Sequence, residues 1–165
     1  MTESANTSIK QVPATLKRIM WVGNSTHIDY GCGKYPELFF RELEARGVKV
    51  YGYDPAWYPD WFNGEVPGNP VDSITLNNVL NVIESPTTIR NTLADMMKWV
   101  NDSTVVYVLI YEGDRSWEGK HTTKGFQHNK PTQYYEQFLT PIFEGVERKG
   151  NLLICSHKKI CLTKF

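Results

Sequence analysis

Two acidic residues and a pair of glycines stand at spacings that suit a small-molecule site. Asp29 is followed by Gly31 and Gly33, and Asp54 comes 21 residues after Gly33. Glycines that follow a strand let the backbone turn sharply and approach a ligand closely. Asp29 would repel a pyrophosphate, and Pro36 stands where a dinucleotide-binding turn has its third glycine. The segment therefore predicts a ligand that carries an ammonium group rather than phosphates.

Asp54 is predicted to bind a ribose. A carboxylate at the end of the second strand of such a unit can accept hydrogen bonds from both ribose hydroxyls. Pro55 and the aromatic pair Trp57-Tyr58 follow directly and could cover an adenine face. Asp54-Pro55 alone is also typical of a plain turn. The ribose interpretation therefore depends on the glycine turn that precedes it.

These residues lie within a predicted strand–helix–strand unit. The pattern predicts strands over 27–30 and 48–53, with an amphipathic helix over 36–46 between them. Gly47 is placed to end that helix. Such a unit has a right-handed crossover, so its two strands are predicted to be parallel.

The rest of the chain alternates between strand and helix patterns. The predicted elements are a loop over 56–70, a strand over 72–82, a helix over 87–100, a strand over 104–111, a polar loop over 112–130, a helix over 132–143 and an antiparallel pair over 145–149 and 152–156. Ile160-Cys161-Leu162 is predicted to extend the last strand, and Ile19-Met20-Trp21-Val22 is either a helix end or a leading strand. This order predicts an α/β sheet covered by helices on both faces.

Composition narrows the class of protein. The formal net charge is zero, from 18 basic and 18 acidic side chains, so there is no global attraction to nucleic acid or acidic membranes. No apolar run approaches the length that spans a bilayer. Three cysteines without metal-type spacing predict no metal site and favour a reduced, cytoplasmic compartment. A length of 165 residues suits one domain over 13–165 behind a flexible leader over 1–12.

Three segments resemble motifs of class I S-adenosylmethionine (SAM)-dependent methyltransferases. Asp29-Tyr30-Gly31-Cys32-Gly33-Lys34 resembles motif I, Tyr53-Asp54-Pro55 resembles the acidic motif II, and residues 72–83 resemble motif IV. Together with Gly125-Phe126-Gln127, the set is similar to small methyltransferases found in phages and beside bacterial DNA-modification genes. The resemblance covers residues 27 to about 139. It implies a Rossmann-like fold, with a mostly parallel sheet, an antiparallel C-terminal strand and a shortened helix layer between strands 2 and 4.

The resemblance also implies that SAM is the cofactor. Its binding residues would be Asp29, Tyr30, Gly31, Gly33, Asp54, Pro55, Asn77 and Asn78. The glycine turn would line the methionine moiety, Asp54 would bind the ribose, and Asn77 and Asn78 would lie beside the sulfonium. Since the interval from Asp54 to Asp72 is short, the adenine contacts are the least defined part of this set.

Three residues are candidates for catalytic work on the methyl acceptor. Asn78 lies at the end of the third predicted strand, and His121 and Gln127 lie in the polar loop. Histidine titrates near neutral pH, and a glutamine amide can both donate and accept a hydrogen bond. The alternatives are that His121 and His128 are solvated loop residues and that Asn78 and Asn81 satisfy local backbone groups.

The acceptor itself is not defined by a motif. Base amino methylation usually uses an Asp/Asn-Pro-Pro-aromatic element where Asn77-Asn78-Val79-Leu80 stands here, and no Pro-Cys nucleophile of cytosine methylation is found in that region. Family analogy alone predicts a nucleic acid or a nucleotide, with a partner chain or a homo-oligomer aiding recognition. The rival hypotheses are an enzyme that consumes the cofactor without a methyl acceptor and a non-catalytic binding module. An NAD-binding protein is disfavoured by Asp29 and Pro36.

Overall fold

The fold centres on a six-stranded mixed sheet. The computed structural model describes residues 10–157, so the predicted strand extension at 160–162 and most of the predicted leader lie outside the described residues. The strands are β1 (Thr26–Tyr30), β2 (Lys49–Tyr53), β3 (Ser73–Asn77), β4 (Val105–Leu109), β5 (Lys120–Thr122), β6 (Gly125–Gln127), β7 (Gly145–Lys149) and β8 (Leu152–Ser156). The main sheet has the order β2-β1-β3-β4-β8-β7, and β5 and β6 form a separate hairpin. The first four of these strands are parallel, whereas β8 and β7 are antiparallel to their neighbours. The predicted sheet architecture is confirmed.

Four α-helices and four short 3-10 turns connect the strands. The helices are α1 (Thr15–Arg18), α2 (Glu37–Ala45), α3 (Pro86–Met96) and α4 (Glu136–Leu139), and the 3-10 turns cover Phe62–Gly64, Leu80–Val82, Met97–Trp99 and Thr132–Tyr135. The start of α3 follows from its sequence, because the Ser85 side chain accepts a hydrogen bond from the Thr88 amide and Pro86 occupies the first turn. Ile19 is the C-cap of α1, so the segment from Ile19 to Val22 is a helix end rather than a strand.

The two faces of the sheet differ in polarity. On one face, the side chains of Ile28, Ile74, Leu76 and Val106 are fully buried against α3 and form the main core. On the other face, α2 packs Phe39, Phe40 and Leu43 over β2. Side chains alternate along a strand, so this second face also carries His27 and Asp29 of β1 beside Ser73, Thr75 and Asn77 of β3. The polar half of the second face leads to the end of β1, where the glycine turn lies.

The segment between β2 and β3 is reduced, as the sequence predicts. Apart from the 3-10 turn at Phe62–Gly64, residues 54–72 form neither helix nor strand, and β2 is an edge strand of the main sheet. Aromatic rings cover this edge instead: Trp61 lies 5.3 Å from the Tyr53 ring and 5.0 Å from the Trp99 ring. Such ring pairs bury large apolar surfaces in a small length of chain.

Two expectations about the second half of the chain are wrong. The predicted loop over 112–130 contains the β5–β6 hairpin, with Thr122 opposite Gly125. The predicted helix over 132–143 is instead the 3-10 turn Thr132–Tyr135 followed by one turn of α4, since the chain leaves the helix before Pro141. The predicted helix over 87–100 similarly tightens into a 3-10 turn after Met96.

Candidate functional site

The candidate site lies where the strand order of the parallel sheet reverses. From β1 the chain moves outward to β2, whereas the next strand, β3, pairs with the opposite side of β1. Ligands of open α/β sheets bind at such a switch point, outside the carboxyl ends of the strands. Here Asn77 Nδ2 of β3 donates to Asp29 Oδ1 of β1 over 2.9 Å. Two of the predicted site residues therefore meet at the point that the topology favours.

The glycine turn is tied to β2 by its own amides. Gly31 and Cys32 both donate to the Tyr53 carbonyl, at 2.8 and 3.0 Å, and the Gly33 amide donates to Asp54 Oδ2 at 2.9 Å. Gly31 and Gly33 have φ values of +82° and +70°, a conformation that side chains other than glycine rarely adopt. Because these three amides are already used, the turn does not form a phosphate cradle. This agrees with the expectation that the ligand is not a dinucleotide.

Asp54 organises the loop that follows it. Its Oδ1 accepts hydrogen bonds from the amides of Ala56 and Trp57 at 2.9 and 3.2 Å, while its Oδ2 accepts from Gly33. A carboxylate has about four acceptor positions, so three backbone amides leave room for roughly one further donor. Asp54 is therefore both a turn residue and a candidate ribose ligand, as the two sequence interpretations had it, with capacity for one hydroxyl rather than two.

Negative charge dominates the site. Burial raises the pKa of Asp29 to about 7, hydrogen bonds from Thr75 and Asn77 lower it, and the charge of Asp54 raises it further. The pKa of the Cys32 thiol is also raised, first by burial and then by Asp29 and Asp54. An acidic site of this kind suits an ammonium group and disfavours an anion.

A wall of aromatic side chains borders the site. The Tyr58 hydroxyl donates to the Lys34 carbonyl over 2.9 Å, and the Lys34 ammonium lies 4.6 Å from the centre of the Trp57 ring. These contacts connect the glycine turn to the loop after Asp54. Pro55 is exposed at the start of that loop.

The side chain of Tyr30 is not part of the site. It points to the opposite face of the sheet, where its hydroxyl donates to Asp95 of α3 and its ring packs 4.9 Å from Tyr53. Only the backbone of Tyr30 is placed near the glycine turn. Asn77 is likewise engaged, because its Oδ1 accepts from Thr15 of α1 over 2.7 Å.

The three candidate catalytic residues lie along one stretch of chain after β3. Asn78 is exposed with φ of +58°, and its amide donates to the Leu109 carbonyl. The β5–β6 hairpin rests on the residues that follow: Gln127 accepts from Asn81 at 3.4 Å, and His121 lies 3.2 Å from Glu84. The hairpin thus brings Gln127 and His121 to the same side of the sheet edge as Asn78.

Two residues that were weighed as alternatives have structural partners. The Asn81 side chain accepts from the Tyr111 amide at 3.4 Å, and its carbonyl accepts from the His128 amide. His128 is buried, and its Nε2 contacts the Ile83 carbonyl at 2.5 Å. Both residues anchor the hairpin to the sheet.

Sequence reasoning missed a buried polar pair beneath Asp29. His27 Nδ1 contacts Ser73 Oγ at 2.7 Å, and His27 Nε2 contacts Thr75 Oγ1 at 2.8 Å. Thr75 in turn donates to Asp29 Oδ1 at 2.9 Å. The signal that could have found them is the alternation of polar residues at 27 and 29 and again at 73, 75 and 77, in strands otherwise rich in apolar residues.

Two further searches concern the described residues alone. Within residues 10–157, no cluster of three or more His, Cys, Asp or Glu side chains could hold a metal ion. In the same part of the chain, no helix is both long enough and apolar enough to span a bilayer.

Comparisons with known proteins complete the description of the site. The model of a family described as a methyltransferase domain matches residues 8–142. A TehB-like SAM-dependent methyltransferase from Corynebacterium glutamicum superposes with a TM-score of 0.52 at 14% identity, over 86% of this chain and 84% of that chain. The apo form of the SAM-dependent methyltransferase SibL gives a TM-score of 0.52 at 16% identity, over 87% of this chain, which spans about half (51%) of the length of SibL. At such identities the likeness is one of fold. No protein of curated function matches this chain.

Proposed function

This chain belongs to the methyltransferase-domain family, and from that premise we propose that it binds SAM at the carboxyl ends of β1 and β2 and transfers the methyl group to an acceptor. The observation that carries the proposal is the buried carboxylate of Asp29, which lies beneath a glycine turn without free amides and beside a second acid, Asp54. These groups fit a ligand with an ammonium and ribose hydroxyls.

The residues of the site divide the cofactor among them. Asp29 would hold the amino group, while Gly31 and Gly33 leave the space above it without side chains. Asp54 would accept one ribose hydroxyl through the remaining capacity of Oδ2. Pro55 and Trp57 would border the adenine, and the segment at Asn77 and Asn78 would lie beside the sulfonium.

When bound, SAM supplies a methyl group that is already activated for displacement, so the protein mainly has to align the acceptor with it. Asn78 and Gln127 can position an acceptor through hydrogen bonds because their amides both donate and accept. His121 can take a proton from an acceptor that must lose one, and the neighbouring carboxylate of Glu84 at 3.2 Å would favour the protonated ring.

The surface beside these residues favours a planar acceptor. Tyr111 and Trp117 are large side chains that are 58% and 56% exposed, and an open depression of about 400 Å³ adjoins Tyr111 and Arg115. Exposed aromatic rings can stack on nucleobases. Arg115 and Lys120 pair with Glu112 and Asp114, so few basic charges remain for a long phosphate backbone. These features support a nucleotide, or one base of a nucleic acid, as the acceptor, with a partner chain or a second copy extending the contact.

Calorimetric titration of SAM, S-adenosylhomocysteine and NAD tests the cofactor. We expect micromolar binding of the first two ligands to the wild type, lost in Asp54→Ala and kept in Asp102→Ala, an exposed aspartate before β4 that serves as the matched control. Circular dichroism of each variant controls for folding. Binding of NAD alone, or of none of the three ligands, would refute the proposal.

A second assay tests methyl transfer. With labelled SAM and a panel of nucleotides and oligonucleotides, we expect label in an acceptor and release of S-adenosylhomocysteine. Cofactor turnover without any acceptor would instead indicate an enzyme that consumes SAM. Tight binding without turnover on any acceptor would indicate a binding module.

A further inference from the structure

A row of buried polar side chains runs beneath the candidate site. Along β1 and β3 it connects Ser73, His27, Thr75 and Asp29 through contacts of 2.7, 2.8 and 2.9 Å. The side chains of His27, Thr75 and Asp29 are at most 3% exposed. A buried histidine costs free energy unless its nitrogens are satisfied, and here both nitrogens have hydroxyl partners.

The direction of these hydrogen bonds follows from the chemistry of the threonine hydroxyl. Thr75 has one hydroxyl hydrogen, and that hydrogen points to Asp29 Oδ1. His27 Nε2 must therefore carry a hydrogen and donate it to Thr75, which leaves Nδ1 as the acceptor for the Ser73 hydroxyl. The ring is thus the neutral tautomer with its hydrogen on Nε2, in agreement with burial lowering the pKa of His27 to about 3.

All of these dipoles point toward Asp29. Ser73 donates to His27, His27 donates to Thr75 and Thr75 donates to the carboxylate, so each hydrogen bond polarises the next in the same sense. Together with Asn77, the row places both of its donors on Oδ1. Oδ2 accepts from no described residue and is left for a ligand.

Nearby packing keeps this row in one arrangement. The Trp21 ring lies edge-on to His27 with centroids 4.9 Å apart, and the Trp21 nitrogen donates to the Leu16 carbonyl over 3.0 Å. Thr15 donates to the Asn77 side chain from α1. The other titratable groups that influence Asp29 or its neighbour in the turn are Asp54 and Cys32.

We propose that His27 and Thr75 are positioning residues, which hold the Asp29 carboxylate ionised and oriented for the ammonium group of the cofactor. This role rests on the proposed function, because it concerns the same site. It differs from that of a merely satisfied core histidine, because it predicts an effect on one end of the ligand only.

Ligands that differ at that end test the role. S-adenosylhomocysteine carries the amino-acid end, whereas 5′-methylthioadenosine keeps the adenosine and the thioether but lacks it. In Thr75→Val, which preserves shape and removes the hydroxyl, we expect roughly tenfold or more weaker binding of S-adenosylhomocysteine. The affinity for 5′-methylthioadenosine should stay within about twofold. Thr75→Ser, which restores a hydroxyl, should recover most of the loss.

Thr104→Val is the matched control. Thr104 is also fully buried, but its hydroxyl donates to the Val71 carbonyl at the opposite end of the sheet. This variant should lose comparable stability and bind both ligands like the wild type. If Thr75→Val weakens both ligands by the same factor, or leaves S-adenosylhomocysteine binding unchanged, the positioning role is overturned.

A measurement on the wild type needs no variant to fold. Long-range nitrogen–proton NMR should show His27 as the neutral tautomer with hydrogen on Nε2 from pH 5 to pH 8; a hydrogen on Nδ1, or a ring that titrates in this range, overturns the proposal. Wild type that binds neither adenosine ligand would overturn the proposed function and the positioning role with it. That failure is distinguishable, because the His27 tautomer is read without any ligand.

Discussion

Replacing Asp29 by asparagine should change how stability depends on pH, with a sign that the structure determines. Burial raises the pKa of Asp29 to about 7, whereas an aspartate in an unfolded chain titrates near about 4. A carboxyl with a raised folded pKa stabilises the fold most below its unfolded pKa and loses that stabilisation as the pH rises through its folded pKa. Between pH 4 and pH 7 the wild type should therefore lose roughly 4 kcal/mol relative to Asp29→Asn.

His27 has the opposite dependence. Burial lowers the pKa of His27 to about 3, so its contribution is present above its unfolded pKa of about 6.5 and is lost as the pH falls toward 3. From pH 6.5 to pH 4 the two slopes, each roughly 1 kcal/mol per pH unit, cancel in the wild type. Asp29→Asn removes one of them, so the variant should lose stability steadily on acidification.

Urea unfolding at pH 4, 5, 6 and 7 measures this difference. Each free energy of unfolding is compared among the wild type, Asp29→Asn and the exposed control Asp102→Asn. The control should follow the wild type within about 0.5 kcal/mol at every pH. A difference between the wild type and Asp29→Asn that stays constant from pH 4 to pH 7 would refute the reasoning, since it would mean that Asp29 titrates alike in both states.

Three further predictions concern the site and its supports. S-adenosylhomocysteine should bind roughly eightfold more weakly at pH 6 than at pH 7.5 by calorimetry, because protonation of Asp29 removes the partner of the ammonium; an affinity that rises on acidification would contradict this. Gly31→Ala should cost about 1–3 kcal/mol in urea unfolding, because φ is +82° and a Cβ would lie 2.6 Å from the Val79 side chain. Gly68→Ala, with nothing within 4 Å, should cost far less. Ser85→Ala should lose about 1 kcal/mol through the cap of α3 and leave ligand affinity unchanged, and a larger loss of affinity than of stability would argue against a purely structural cap.

The first half of the fold could be predicted because its signals are local. The helix α2 ends at a glycine with φ of +79°, and the glycine turn and Asp54 follow their strands directly. A strand–helix–strand unit with these signals has one common geometry. The position of Asp29 and Asp54 at one sheet edge follows from it.

The second half depends on contacts between distant residues. The β5–β6 hairpin has only three residues in each strand, and it is held by Asn81 and Ile83, which are far away in sequence. Its polar composition therefore resembles a loop. Residues 132–143 have the apolar spacing of a helix, yet the chain forms a 3-10 turn and one helical turn before Pro141. Spacing alone does not distinguish these outcomes.

The buried row beneath Asp29 was missed for a different reason. Ser73, His27 and Thr75 are polar residues within strands, and the sequence does not say which partners face them. Only the register of β1 against β3, with His27 opposite Ser73 and Asp29 opposite Thr75, brings them together.

The hydrogen bonds from Gly31 and Cys32 to the Tyr53 carbonyl have a thermodynamic consequence. The turn is fixed by the sheet before any ligand arrives, so binding does not have to order it and avoids a cost of about 1–2 kcal/mol for each residue that would otherwise become immobile. Exchange of these two amide hydrogens with solvent should accordingly be slow in the free protein and change little when a ligand binds. The enthalpy of binding then comes mainly from the contacts of the carboxylates rather than from folding of the turn.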